Sequence, residues 1–327
     1  MDEHYDDHPA GRIDLSIIII NWNTRDLLRN CLNSVFKNVS NIVFEIIVVD
    51  NFSSDGSVEM LEKEFPSVIR IVNKENRGFG AANNQALKIM KGKYALLLNT
   101  DAVLMPEAVN KLWNFCEAND KAAIVCGQLL NADGTKQNSM ASFPSLLTLA
   151  ANTSLLEYLF PGRYPSKRYE HASPIEVDSA IGACMMIRKK ALDEAGAFDE
   201  RYFFFFEETD LAYTMRLKGW KIYQVPKALI YHLQGQSIGN NISSRIEFYR
   251  SRYQFLRKWH GPLYCYLAKG IIFLRLLVNE VFSAIFAALT LGLNKKLRYK
   301  LVVYSKLIYW HFQKNNYPQN KTSALIH

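Results

Sequence analysis

LSIIIINWN, at residues 15–23, is a run of β-branched and other apolar residues that ends abruptly in two asparagines around a tryptophan. Residues 25–36 follow with apolar positions at helical spacing, and the same order returns at residues 44–65 and 69–90, with a fourth apolar run at residues 94–98. Continuous apolar strands that alternate with helices are typical of a parallel sheet covered on both faces. The sequence therefore predicts an α/β fold with a mostly parallel sheet flanked by helices.

The predicted strands end in polar residues. Because ligands of such sheets bind at the carboxyl ends of the strands, these residues are expected to converge on one crevice. They are Asn21, Asp50, Asn76, Asn99 and Asp101. An amide at Asn99 and a carboxylate at Asp101 point toward one ligand, and the carboxylate can hold a hard cation that bridges phosphate oxygens.

Four phenylalanines at residues 203–206 run directly into Glu207, Glu208 and, after one threonine, Asp210. If the aromatic run is the end of an apolar strand, loss of water raises the proton affinity of these carboxylates and makes one of them a candidate general base. The carboxylates equally suit the first turn of a helix that continues through residues 211–217, where they complement the helix dipole. Both interpretations can hold together.

Three other features have simple structural alternatives. Gly78 and Gly80 precede a predicted helix, where glycines either let a ligand approach the backbone or form a tight turn. Ser53 belongs to a serine-rich segment that also suits an Asx turn and a helix cap. His232 stands alone after the last predicted strand, residues 221–230. A single histidine is more often structural than a ligand, but its position at the strand end favours a place in the crevice.

The chain has 327 residues, 49% hydrophobic and 21% charged, which is enough for one large α/β domain with an appendage. Its five cysteines are scattered without a C-x-x-C pair, which argues against a disulfide framework or a zinc site and fits a reducing cytoplasm. Residues 1–14 are acidic and have no apolar core. We therefore expect a flexible tail there, and neither a signal peptide nor a transit peptide.

Residues 241–327 hold 14 lysines and arginines against two glutamates, mixed with aromatic residues. This pattern suits an anionic membrane surface better than a nucleic acid. Residues 271–293 are long enough to span a bilayer, but polar residues interrupt them along one helical face: Arg275, Asn279, Glu280 and Ser283. We expect an amphipathic helix in the membrane interface, with a helical cap on the core or a homodimer interface as the alternative.

Taken together, the motifs in residues 15–259 resemble those of the inverting glycosyltransferases of family 2, and within them the bacterial rhamnosyltransferase-like branch. The motifs are SIIIINWN at 16–23, VDNFSSDGS at 49–57, NRGFGAAN at 76–83, LNTD at 98–101, GACMMIR at 182–188, FDE at 198–200, EETD at 207–210 and GW at 219–220. The resemblance implies a Rossmann-like GT-A catalytic domain at residues 15–240 and a basic, partly amphipathic helical extension at residues 241–327.

The resemblance also implies roles for individual residues. Asp101 corresponds to the metal-binding carboxylate of the family's D-x-D element, whose first aspartate is replaced here by Asn99, and His232 corresponds to a histidine that completes the metal site in some members. Glu208 stands where the family has its catalytic base, usually an aspartate. The implied donor-binding set is Asn21, Asn23, Asp50, Ser53, Asn76, Gly78, Asn99 and Asp101, and the acceptor-side or supporting set is Gly182, Ala183, Glu207 and Asp210.

The activity implied by the resemblance is inverting transfer of a sugar from a nucleotide-sugar, with Mg²⁺ or Mn²⁺ as cofactor. The expected donor is dTDP-L-rhamnose, with a UDP-hexose or UDP-N-acetylhexosamine as the alternative. The expected acceptor is a lipid-linked or polysaccharide glycan of the cell envelope, reached from the inner face of the plasma membrane. A non-catalytic nucleotide-sugar-binding or scaffold protein is the alternative of another class, and the changes at Asn99 and Glu208 fit it.

Overall fold

The computed structural model describes residues 12–167, 171–233, 242–291 and 293–313. The chain divides into two compact units, which we call the sheet unit and the helical unit. The sheet unit comprises Met1–Ala141, Lys167–Glu200 and Glu208–Ser237, and the helical unit comprises Ser142–Ser166, Arg201–Glu207 and Ile238–His327. Most of the predicted tail at residues 1–14, and the predicted domain boundary at residue 240, lie outside the described residues.

The strands all belong to the sheet unit. They are β1 Leu15–Asn21, β2 Phe44–Asp50, β3 Ile69–Val72, β4 Tyr94–Leu98, β5 Ala102–Leu104, β6 Ala122–Leu130, β7 Met140–Ala141, β8 Ile175–Val177, β9 Ser179–Ala180, β10 Cys184–Arg188 and β11 Lys221–His232. The helices within the described residues are α1 Arg25–Asn38, α2 Ser57–Glu64, α3 Phe79–Ile89, α4 Ala108–Ala118, α5 Leu146–Ala150, α6 Thr153–Leu159, α7 Lys189–Ala195, α8 Glu207–Leu217, α9 Ile242–Leu289 and α10 Lys295–Phe312. Of these, α5, α6, α9 and α10 belong to the helical unit.

The main sheet has the strand order β3-β2-β1-β4-β10-β6-β11-β5, with β8 paired to β11. The first four strands run parallel, as predicted, because a helix follows each of β1, β2 and β3 and returns the chain to the edge where the next strand begins. Their register sets Asn21 directly opposite Asp50. β4, β6 and β10 are buried along their whole lengths, so the apolar core covers both faces of the sheet centre.

The second half of the sheet mixes strand directions. β10 runs antiparallel between β4 and β6, and β5 runs antiparallel to the end of β11. The short β5 follows β4 after three residues and pairs with β11 so that Ala102 stands opposite His232. This pairing brings the polar segment at residues 99–101 and His232 to the same edge of the sheet.

The phenylalanines at residues 203–206 do not form a strand, contrary to the first of the two interpretations. They form bends that lead into α8, and Phe205 and Phe206 have left-handed φ angles of 68° and 70°. Such angles are strained for bulky residues and persist only where packing enforces them. Within the helical unit both rings pack on Phe248, at centroid distances of 5.4 Å. The second interpretation is confirmed, because Glu207, Glu208 and Asp210 occupy the first turn of α8.

The helical unit is built around α9, which is kinked at Gly261 (φ 85°) just before Pro262. Its second part packs against α10, where the Ser305 hydroxyl donates to Glu280 and Ser283 is buried. Two residues of the predicted polar stripe, Glu280 and Ser283, therefore contact the rest of the protein. Arg275 and Asn279 of the predicted stripe are exposed. Many large apolar side chains are also exposed on this part of α9, among them Leu263, Leu267, Leu274, Val278, Val281, Phe282, Ile285, Phe286 and Leu289. By length and composition α9 is apolar enough to cross a membrane.

Candidate active site

A hydrogen-bonded cluster joins the ends of β1 and β2. Asn21 Nδ2 donates to Asp50 Oδ2 at 2.8 Å and to the Ser53 hydroxyl at 3.0 Å. The Ser53 N–H donates to Asp50 Oδ1 at 2.9 Å, and the Asn23 N–H donates to the Ser53 hydroxyl at 2.9 Å. Asn21 and Asp50 are both buried, and each oxygen of Asp50 keeps a further lone pair. These four predicted donor-binding residues therefore lie together at the sheet edge.

Asn51 extends this cluster to the turn before α3. Its Nδ2 donates to Asn76 Oδ1 at 2.8 Å, and its Oδ1 accepts the N–H of Arg77 at 3.0 Å. Asn76 Oδ1 also accepts the N–H of Gly78 at 3.0 Å. Gly78 has a φ of 81°, which favours glycine. Asn76 and Gly78 thus hold the turn itself, and the turn lies beside the Asp50 cluster.

Two threonines connect the same cluster to the end of β4. The Thr24 hydroxyl donates to Asn21 Oδ1 at 2.8 Å and contacts the Thr100 hydroxyl at 2.8 Å. Thr100 immediately precedes Asp101, and both are buried. A chain of hydrogen-bonded side chains therefore runs from Asp50 to Thr100, the residue before Asp101, so the two aspartates predicted to converge lie at the same edge.

Asp101 and His232 meet at this edge. Asp101 Oδ1 lies 3.3 Å from His232 Nε2, and the Leu233 N–H donates to the Asp101 carbonyl at 2.9 Å. Both side chains are buried. The pairing of β5 with β11 fixes this contact, since it sets the residue after Asp101 opposite His232.

Gln137 determines which nitrogen of His232 carries the proton. Gln137 Nε2 donates to the His232 carbonyl at 2.6 Å, and Gln137 Oε1 lies 2.9 Å from His232 Nδ1. Because the amide oxygen can only accept, Nδ1 is the donor, and in the neutral ring Nε2 then presents its lone pair toward Asp101. A nitrogen lone pair and a carboxylate oxygen at this distance repel each other unless a proton or a metal ion lies between them.

Asp101 and His232 fit a divalent cation. In an octahedron with bonds of about 2.1 Å, neighbouring ligands stand about 3 Å apart, close to the observed 3.3 Å. Carboxylate oxygen and imidazole nitrogen both suit such a metal. In the part of the chain that the structure describes, no group of three or more His, Cys, Asp or Glu side chains gathers at one point. Two protein ligands would leave the other positions to phosphate oxygens and water.

Glu208 is the second residue of α8 and is half-buried. Burial raises its pKa to about 7, although backbone N–H groups at the start of the helix act in the opposite direction. Gly182 lies beside Glu208 and Phe79, since a methyl group built on its Cα would stand 4.0 Å from Glu208 Cγ and 3.8 Å from the ring of Phe79. A carboxylate with this pKa is half deprotonated near neutral pH, as a general base requires.

Gly182 and Ala183 link Glu208 to the end of β4, because the Asn99 N–H donates to the Ala183 carbonyl at 2.9 Å. The Asn99 side chain is half-buried. Glu207 and Asp210 are buried in the first turn of α8, which suits a supporting role better than direct contact with a substrate.

Three residues of this arrangement were missed at the level of sequence: Thr24, Thr100 and Gln137. The threonines lie within or beside motifs, but nothing in their spacing shows that their hydroxyls meet. Gln137 follows a turn at residues 131–135 and carries no motif of its own. Only its contact with His232, 95 positions along the chain, identifies it.

The sequence profile described as Glycosyl transferase family 2 matches residues 16–196, more than half of the chain. The N-acetylglucosaminyl-diphospho-decaprenol L-rhamnosyltransferase of Mycobacterium tuberculosis is 27% identical over 240 residues, which cover 67% of this chain and 78% of the relative. The low-salt glycan biosynthesis hexosyltransferase Agl10 of Haloferax volcanii is 27% identical over 215 residues, 64% of each chain.

Solved glycosyltransferases share the fold. A mannosyltransferase from Pyrobaculum calidifontis, solved with GDP-Man and Mn²⁺, superposes with a TM-score of 0.54 at 14% identity, over 93% of this chain and 89% of the other. GalNAc-T7, solved with UDP, GalNAc and Mn²⁺, gives a TM-score of 0.54 at 16% identity, over 75% of this chain and 48% of the other. The predicted GT-A fold is thereby confirmed, and the chain belongs to glycosyl transferase family 2.

Proposed function

We propose that this protein is an inverting, metal-dependent glycosyltransferase that transfers a sugar from a nucleotide-sugar to a lipid-linked acceptor of the cell envelope. The observation that carries the proposal is the continuous polar edge of the sheet unit. It runs from Asp50 through Thr24 and Thr100 to the Asp101–His232 pair, and Glu208 adjoins it through Gly182. Along this edge Asp50 suits a nucleoside, the Asp101–His232 pair suits a metal-bound diphosphate, and Glu208 suits an acceptor hydroxyl.

In the proposed reaction Glu208 accepts the proton of the acceptor hydroxyl as that oxygen attacks the anomeric carbon of the donor. The nucleoside diphosphate leaves from the opposite face, so the configuration inverts. Glu208 has the proton affinity for this step because burial raises its pKa to about 7. Asn21, Asp50 and Ser53 hold the nucleoside, and Asn76 and Gly78 shape the turn beside it.

Asp101 and His232 would hold Mg²⁺ or Mn²⁺, and the ion would neutralise the charge that develops on the departing diphosphate. Asn99, in place of an aspartate, lowers the negative charge near this pair and leaves Asp101 as the charged oxygen ligand. Gln137 keeps His232 in the tautomer that can bind a metal.

The best-supported donor is dTDP-L-rhamnose, since a relative of similar length is an L-rhamnosyltransferase that acts on a diphospho-decaprenol. UDP-hexoses and UDP-N-acetylhexosamines are the competing donors. Incubation with a panel of nucleotide-sugars, with released nucleoside diphosphate as the readout, tests the function and identifies the sugar. Release from none of them, together with tight binding of one, would instead support the non-catalytic binding protein that Asn99 and Glu208 also fit.

We propose a peripheral location at the cytoplasmic face of the membrane. The apolar exposed face of α9 and the excess of basic residues in residues 241–327 support this. In such a position the protein has access to a cytoplasmic nucleotide-sugar and to a membrane-held acceptor.

The activity is expected to depend on pH through Glu208. Below pH 7 the carboxyl is protonated and cannot act as a base, so log kcat/KM rises with unit slope as the pH increases toward 7 and is level above it. Initial rates from pH 5.5 to 8.5 at saturating Mn²⁺ measure this. A rate that is flat across pH 6 to 8 would contradict the assignment.

Gln137→Leu is expected to raise the Mn²⁺ concentration needed for half-maximal activity by about 10–100-fold, because His232 loses the partner that fixes its tautomer. Excess Mn²⁺ should restore much of the rate. The exposed neighbour Asn138, changed to Ala, is the control and should behave as wild type. An unchanged Mn²⁺ dependence in Gln137→Leu would remove Gln137 from the site.

A further inference from the structure

Three arginines and a tyrosine cluster on α9, within the helical unit. Arg245, Tyr249 and Arg252 are spaced four and three residues apart, which places them on one face of the helix. Burial raises the pKa of the Tyr249 phenol, and the positive charges of Arg252, Arg245 and Arg275 act in the opposite direction. Arg275, although it stands beyond the kink, is therefore near enough to Tyr249 for its charge to act on the phenol. Three positive charges thus act on one phenol.

Aromatic rings hold the central arginine. The Arg252 guanidinium lies 4.5 Å from the ring centroid of Phe248, 5.7 Å from that of Tyr249 and 5.9 Å from that of Phe206. Rings cover the faces of a guanidinium and leave its N–H edge available for hydrogen bonds. The Nε atom of Arg252 is buried and has no hydrogen-bond partner in the part of the chain that the structure describes.

No ion pair neutralises this cluster in the part of the chain that the structure describes. Among the described residues, Arg245, Arg252 and Arg275 form no ion pair, and Glu247, the acidic residue on this stretch of α9, pairs with Arg250 at 3.3 Å. One N–H group of Arg275 donates a hydrogen bond to the Leu149 carbonyl. Arg252 is the partly buried member, with a buried Nε atom, whereas Arg245 and Arg275 are exposed. A buried guanidinium without an anion is unfavourable, and a phosphate can accept paired N–H bonds from Arg252 and from the two exposed arginines. Three arginines suit a diphosphate, which spreads two or more charges over several oxygens.

We propose that Arg245, Tyr249, Arg252 and Arg275 bind the diphosphate of the lipid-linked acceptor, an inference that rests on the proposed function. The same helix supports it, because beyond the kink α9 exposes Leu263, Leu267 and Leu274, each more than half exposed. One helix therefore offers an anion-binding face and an apolar track, as an amphiphile with a phosphorylated head and a hydrocarbon chain requires.

Binding of farnesyl diphosphate by calorimetry tests this, with farnesol and inorganic diphosphate for comparison. Two variants should each weaken farnesyl diphosphate binding by about tenfold or more: Arg245→Gln, at an exposed position, and Arg252→Lys, which keeps the charge but loses the planar guanidinium that donates paired hydrogen bonds. Arg298→Gln, an equal charge change on exposed α10, should have no effect. Equal weakening by Arg245→Gln and Arg298→Gln would overturn the site, since it would show a general effect of charge.

Flotation with phosphatidylglycerol vesicles separates the two sources of lipid phosphate. We expect the same fraction of Arg245→Gln and of Arg298→Gln protein to float with the vesicles. A selective loss of flotation in Arg245→Gln, with farnesyl diphosphate binding unchanged, would assign the cluster to phospholipid head groups and overturn the acceptor site. Donor binding is measured in parallel on the same variants and should be unchanged. If wild-type protein binds no nucleotide-sugar but binds farnesyl diphosphate through these arginines, the proposed function fails and the anion site stands.

Discussion

Glu208→Gln is expected to reduce sugar transfer by about 10²–10⁴-fold, the usual contribution of a general base, while donor affinity stays at the wild-type value. Glutamine keeps the size of the side chain but cannot accept the proton of the acceptor hydroxyl. The half-buried position singles out Glu208 from Glu207 and Asp210, which are buried, and its pKa of about 7 suits a base. Product formation and calorimetric binding of the donor with Mn²⁺ measure the two quantities separately.

Glu62→Gln makes the same chemical change at an exposed position of α2 and is the matched control. It should leave both transfer and binding at wild-type values. A Glu208→Gln enzyme that retains a tenth or more of the wild-type rate would end the assignment of Glu208 as the base, whatever its donor affinity.

Asp101→Asn is expected to impair binding as well as turnover. The substitution keeps the shape of a buried side chain but removes the negative charge beside His232, so that the cation and the diphosphate lose their anchor. We expect donor affinity in the presence of Mn²⁺ to fall at least about tenfold and turnover to fall about 10²–10³-fold. Calorimetry with and without Mn²⁺, followed by the transfer assay, measures both.

Asp120→Asn, at an exposed position of the sheet unit, controls for the change of charge. The two active-site variants should therefore differ in kind. Glu208→Gln should lose turnover but keep donor affinity, and Asp101→Asn should lose turnover together with the metal-dependent part of donor binding. If Asp101→Asn bound the donor as tightly as wild type and with the same Mn²⁺ dependence, the metal would have to lie elsewhere.

The first half of the sheet was predictable because its signals are local. Each of β1 to β4 is an apolar run, and in parallel strands the polar residue that follows each run falls at the same edge. The meeting of Asn21 with Asp50 follows from the register of two adjacent strands, so residues far apart in sequence could be placed together before any coordinates were known.

The second half could not be predicted in the same way, because it depends on tertiary pairing. Nothing in residues 184–188 indicates that β10 runs antiparallel between β4 and β6. The four phenylalanines have the composition of a strand, but packing on Phe248 holds two of them in left-handed conformations. Gln137 belongs to the site only because its amide reaches the end of β11, a contact without a sequence signature.

The central claim is that Asp101, His232 and Glu208 serve one bound nucleotide-sugar. The most direct test is a crystal structure with Mn²⁺ and the donor identified by the panel, using the anomalous signal of manganese. We predict manganese in contact with Asp101 Oδ1, His232 Nε2 and the donor diphosphate, with the Glu208 carboxylate on the sugar face opposite that diphosphate. Manganese bound away from Asp101 and His232, or Glu208 turned away from the sugar, would contradict the account.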